Sequence, residues 1–98
     1  MDSTFSSTPK LERILKSFEK KSPQLLASFH EQVDLIIKAP EEGKLLKGDL
    51  LGYYSWDFKL RGIAVRICYR YLKSDNHVIL VYYGTRENFY DKVKKYVR

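Results

Sequence analysis

The chain has 98 residues, enough for one hydrophobic core and too few for two, so a single domain spanning 1–98 is expected. Its 44% hydrophobic and 14% aromatic content excludes a disordered chain, and its longest strongly apolar run, VILVYY, is far too short to span a bilayer as a helix. The net charge of +6 is lopsided, because residues 1–43 carry 6 Lys/Arg against 7 Asp/Glu whereas residues 44–98 carry 12 against 5.

The start, MDSTFSSTPK, lacks the apolar stretch of a secretion signal, so a cytoplasmic protein without membrane contact is expected. The positive field of the second half favours a polyanion such as nucleic acid, or else an acidic protein partner. A lone cysteine, Cys68, allows neither an internal disulfide nor a cysteine metal motif, and is expected to pack as a small apolar side chain.

Two helices come first. Thr8-Pro9 and Ser22-Pro23 each offer a hydroxyl cap followed by proline at the first helical position. Leu11, Ile14, Leu15 and Phe18 then recur at helical spacing, as do Leu25, Leu26, Phe29, Val33, Ile36 and Ile37, which describes an antiparallel helical hairpin. KAPEEGK ends the second helix through Pro40 and Gly43. A short strand before Thr8 has only weak support in DSTFS.

From Gly52 the period changes to two. Residues 53–60, 63–72 and 77–83 read as strands joined by turns at Arg61-Gly62 and Ser74-Asp75-Asn76, an antiparallel meander. ENFYDKVKKYV, with Phe89, Val93 and Tyr96 or Val97 at helical spacing, closes the chain as a helix. The expected class is α+β: a helical hairpin on a small antiparallel sheet of three to four strands, with a C-terminal helix.

An even turn at Arg61-Gly62 pairs Leu60 with Ile63, Phe58 with Val65, Trp56 with Ile67 and Tyr54 with Tyr69, all apolar or aromatic. The same register sets Lys59 opposite Ala64, Asp57 opposite Arg66 and Ser55 opposite Cys68, with Arg70 further along. The helical hairpin covers the first face, and the charged face is expected to be open at its centre. Asp57 and Arg66 are then either a solvated cross-strand ion pair or part of a phosphate site. The many tyrosines read as core and rim before they read as a base-stacking platform. His30 and His77 have no ligand partner nearby in the sequence and read as structural or solvated.

At LLKGDLLGYYSW, VRICY and GTRENFY the sequence resembles the RelE/ParE superfamily of bacterial and archaeal type II toxins, especially its RelE-like branch. The resemblance runs from Pro9 to the end of the chain and implies the RelE-like microbial RNase fold. It further implies a ribosome-dependent endoribonuclease that cuts messenger RNA without metal or other cofactor, by attack of a ribose 2′-oxygen on the adjacent phosphorus. Such a reaction needs removal of a proton, stabilisation of phosphorane charge and help for the leaving 5′-oxygen. By the resemblance Arg66 serves the phosphate, Arg86 the phosphate or leaving group, and Tyr90 orients the nucleophile or stacks on a base. Lys47 in the connector, with Lys59, Arg61 and Arg70, would hold RNA backbone. A cognate acidic antitoxin, messenger RNA and the ribosome are the implied partners, and a toxin–antitoxin hetero-oligomer the implied assembly.

The chain departs from that pattern on the strand 53–60, where well-known relatives carry lysines and this chain offers Ser55, Asp57 and Lys59, and at Arg86, where several relatives have histidine. Arginine does not readily release a proton, so Asp57 or Glu87 is left as base, or Arg86 acts by charge alone. A carboxylate beside an arginine is the weaker base, which counts against Asp57. Two other readings stay open: a ParE-like toxin that inhibits DNA gyrase without nuclease action, and an inactive relic that binds only its antitoxin.

Overall fold

The computed structural model describes residues 2–85 and 89–96, with only the backbone of Tyr90 and Tyr96. The elements run β1 (Thr4–Ser7), α1 (Pro9–Lys21), α2 (Pro23–Lys38), β2 (Lys44–Leu45), β3 (Tyr53–Leu60), β4 (Ile63–Leu72), β5 (His77–Thr85) and α3 (Phe89–Tyr96). The α+β class and the helical hairpin stand as expected, while the sheet has five strands in the order β1-β5-β4-β3-β2. It is mixed, because β1 runs parallel to β5 at one edge.

Both helices start at their prolines, by different means. Thr8 Oγ1 accepts the Leu11 N–H at 3.2 Å, a side-chain cap in the expected sense. Ser22 holds the second cap position without a side-chain capping bond. Its backbone N–H instead donates to Phe18 O at 2.9 Å, so this residue closes α1 where the sequence suggests a hydroxyl cap for α2.

The β3–β4 register matches the sequence expectation at every pair from Tyr53↔Arg70 to Leu60↔Ile63. Arg61 and Gly62 have φ of 51° and 82°. Two successive positive φ angles define the tight hairpin turn whose twist suits the strands. Val65, Ile67, Tyr69, Val78, Leu80 and Tyr83 face the helices and form the main core with Leu11, Phe29, Val33 and Ile36, while Trp56 and Phe58 pack against its margin. Trp56 Nε1 donates to Gln32 Oε1 at 2.9 Å, which ties β3 to α2.

Tyrosine hydroxyls brace this core to backbone. Tyr83 Oη donates to Leu25 O at 2.9 Å and Tyr69 Oη to Pro40 O at 2.6 Å. Tyr54 and Tyr69 stack, with ring planes 9° apart. The described tyrosines Tyr54, Tyr69 and Tyr83 are therefore core and rim, as alternation suggests. His77 is structural: its ring nitrogens lie 2.7 Å from Thr4 Oγ1 and 2.9 Å from Ser6 Oγ, pinning β1 to β5, and His30 is exposed.

The far face of the sheet differs from expectation. A second buried cluster of Leu46, Leu50, Cys68, Tyr82, Phe89 and Val93 covers it, so its centre is roofed by the connector and α3. The physical reason is the amphipathic α3, whose Phe89 and Val93 need an apolar partner and find one in Cys68 and Tyr82.

Candidate functional site

Alternation along β3 and β4 puts one row of pairs, each with at least one polar or charged member, on this far face: Tyr53/Arg70, Ser55/Cys68, Asp57/Arg66 and Lys59/Ala64. Arg66 stands near the middle, at the edge of the roof. Its Nε lies 3.3 Å from Asp57 Oδ1, and the two side chains are 14% and 46% exposed. The guanidinium carbon sits over the Phe89 ring, 5.7 Å from its centroid, so the first residue of α3 packs against the cation. Ser55 Oγ donates to Asp57 Oδ1 at 2.6 Å, and Ser55 itself is buried.

Arg70 follows four residues further along β4, about 13 Å away at strand rise. It is exposed and lies 5.6 Å from the Tyr53 ring centroid. Lys59 is exposed beyond Asp57, and Arg61 occupies the hairpin tip at the end of the same row. Lys47 is exposed between the buried Leu46 and Leu50, where the connector caps the other end of the face. Beside it Lys44, Lys47 and Lys94 line a depression of about 640 Å³, with Asp49 bound to Lys94 at 3.5 Å.

The structure thus gathers Asp57, Lys59, Arg66 and Arg70 on one face, with Arg61 and Lys47 at its two ends. Arg86 lies outside the described residues, as does Glu87, and of Tyr90 only the backbone, next to Phe89, is described. Two contributors carry no role in the sequence reading. Ser55 is legible there as a face member only, and the part of Phe89 over Arg66 is hidden behind its helical spacing. Among the described residues no group of three His, Cys, Asp or Glu is placed to hold a metal ion. Cys68 is buried in the roofed part, and burial pushes its thiol up to about 12, which makes it packing material and not a nucleophile.

Chemically, such a face is a cationic strip with one arginine set firmly in its middle. A guanidinium braced on its Nε edge presents a planar fork suited to phosphate oxygens.

A small sheet with a helical hairpin on one side and a basic strip beside a short C-terminal helix on the other defines a RelE-like toxin fold. The family model describing a ParE-like toxin of type II bacterial toxin-antitoxin systems matches residues 5–94, and the chain belongs to that family. Among solved structures it is similar to the RelBE2 toxin–antitoxin complex of Mycobacterium tuberculosis, at 25% identity and a TM-score of 0.72, covering 88% of this chain and 100% of that one. It is similar in fold to a double arginine-to-alanine mutant of the toxin RelE of Escherichia coli in the free state, at 16% identity and a TM-score of 0.71, covering 98% and 94%. The intact RelBE toxin–antitoxin complex of E. coli is likewise similar in fold, at 16% identity and a TM-score of 0.61, covering 87% and 98%. No curated protein matches the chain by sequence. Among the described residues no helix is long and apolar enough to cross a membrane.

Proposed function

We propose that this toxin is a ribosome-dependent endoribonuclease that cuts messenger RNA by attack of a 2′-oxygen on the adjacent phosphorus. The observation that carries the reading is Arg66, held on the sheet face away from the helical hairpin with its Nε 3.3 Å from Asp57 Oδ1 and its guanidinium carbon over the Phe89 ring. Arg66 receives the scissile phosphate and stabilises the charge added in the transition state. Arg86 contributes charge to the phosphate or leaving oxygen, and Tyr90, at the start of α3, orients the nucleophile or stacks on a base. Asp57 braces Arg66. Lys47, Lys59, Arg61 and Arg70 hold RNA backbone along the strip, through contacts that position without reading sequence.

The partner of this basic chain is an acidic antitoxin, a reading supported by the likeness to the toxin of a RelBE2 complex. Charge complementarity makes such a complex fast to form and covers the strip.

The ParE-like description of the matched family favours a second reading, inhibition of DNA gyrase through protein contacts. One experiment separates the two. The purified toxin is added to messenger RNA with and without translating ribosomes, and in parallel to a gyrase supercoiling reaction. Cleavage only with ribosomes is expected. Blocked supercoiling with intact RNA would establish the gyrase reading instead.

A further inference from the structure

Tyrosines and Cys68 aside, Ser55 and Ser3 are the two buried polar side chains of the described residues, and Ser55 is 2% exposed. A buried hydroxyl takes a partner, and this one is specific. Ser55 Oγ donates to Oδ1 of Asp57 at 2.6 Å, the same oxygen that faces Arg66 Nε at 3.3 Å. The three residues belong to one row: Ser55 and Asp57 are two apart on β3 and point the same way, and Asp57 pairs directly with Arg66 on β4.

The three are unequally enclosed. Asp57 is 46% exposed and by itself free to leave the arginine for water, sampling other staggered rotamers. Ser55 has no such freedom, because it is buried opposite Cys68, a member of the second core cluster. A bond from the buried hydroxyl to the exposed carboxylate selects the rotamer that turns Oδ1 toward Arg66. Arg66 in turn is confined between Asp57 and the Phe89 ring.

We propose that Ser55 is a positioning residue for Arg66, acting through Asp57. Its hydroxyl fixes the carboxylate that braces the Nε edge of the guanidinium, so that the terminal amino groups meet a phosphate in one set orientation. The proposal rests on the reading of Arg66 as the phosphate ligand. It also assigns Asp57 a use that requires the ionised carboxylate to stay where it is, as an anchor and not as the group that takes the 2′-proton. Small misplacements of a charge-stabilising group are costly out of proportion to their size.

The test uses two readouts on the full chain. In proton–nitrogen spectra the Arg66 Nε–H signal, assigned by its loss in Arg66→Lys, reports the brace without any reaction. Ser55→Ala is expected to speed its exchange with water at least about fivefold and to lower kcat of ribosome-dependent cleavage about five- to tenfold with little change in KM. The melting temperature should move by less than about 5 °C, since the released carboxylate is solvated. In an Asp57→Ala background, Ser55→Ala should add nothing to either effect, the signature of a residue that acts through another. Unchanged Nε–H exchange in Ser55→Ala, or additive losses in the double variant, would overturn the proposal. A wild-type chain with no cleavage at all would instead end the nuclease reading, while the exchange measurement would still decide whether Ser55 holds Arg66.

Discussion

Asp57 and Arg66 face each other across neighbouring strands on the side of the sheet away from the helical hairpin, with Oδ1 and Nε 3.3 Å apart. Half-exposed ion pairs of this kind contribute only about 0.2–1 kcal/mol to stability. The pair therefore matters more for where it holds the guanidinium than for the fold. Asp57→Asn keeps the volume and an acceptor oxygen while removing the charge. It should lower ribosome-dependent cleavage by about tenfold, well short of the loss from removing Arg66, and leave the acid limb of the pH–rate profile in place. Disappearance of that limb together with a loss as large as that of Arg66→Ala would make Asp57 the general base.

A second relationship fixes the connector. Gly43 has an ordinary φ of −66°, so glycine is not required there by backbone conformation. It is required by Tyr69, whose hydroxyl occupies the space a Cβ would take on its way to Pro40 O. Gly43→Ala should destabilise by about 1–3 kcal/mol through this overlap. Tyr69→Phe, which abandons a buried carbonyl, should cost about 1–3 kcal/mol. The two should be less than additive in combination, because removing the hydroxyl relieves the closest contact of the new methyl group. Urea unfolding of the four proteins of this cycle measures the coupling, and strict additivity would contradict the packing described.

Burial raises the Cys68 thiol from 9.0 to about 12 and the Tyr83 phenol from 10.0 to about 12. Both groups lose their proton more easily in the unfolded chain, so their contribution to stability is full below about pH 9 and is lost as pH rises toward 12. Melting temperatures recorded from pH 7 to 11 should fall above about pH 9, and Cys68→Ala should reduce the slope. Iodoacetamide at pH 8 should leave Cys68 unmodified in the native protein and modify it rapidly in urea. Quick alkylation of the native thiol would contradict its place in the roofed face.

The β3–β4 hairpin was legible in the sequence because three independent signals agree: alternation on both strands, the Arg61-Gly62 turn, and apolar pairs that match only in one register. The position of Asp57, Lys59, Arg66 and Arg70 on one face follows from that register alone. VILVYY on β5 gives no such signal, since it has no polar alternation to read. A bulge there leaves Cys68 paired with Tyr82 and Tyr69 with Leu80, so Val81 is extra and the face assignment flips. Val78, Leu80 and Tyr83 therefore join the main core while Tyr82 joins the second. The two edge strands were also hard to see: β2 is two residues long and owes its pairing to Tyr54 and Ser55, and β1 is held by His77 of the neighbouring β5, more than 70 residues away in the sequence. The roof over the charged face depends on where α3 docks, which local periodicity does not encode.

The most direct test of the account is the rate of messenger RNA cleavage on programmed ribosomes by Arg66→Ala, compared with the wild-type toxin under single-turnover conditions. Arg66 serves the phosphate in this account, and its ion pair contributes only about 0.2–1 kcal/mol to the fold, so the rate should fall by about 10²–10³, the scale of losing one transition-state donor, while the melting temperature falls by less than about 8 °C. Arg66→Lys should recover little of it, because an ammonium keeps the charge without the planar fork. Cleavage by Arg66→Ala at the wild-type rate would contradict the assignment of this face to the reaction.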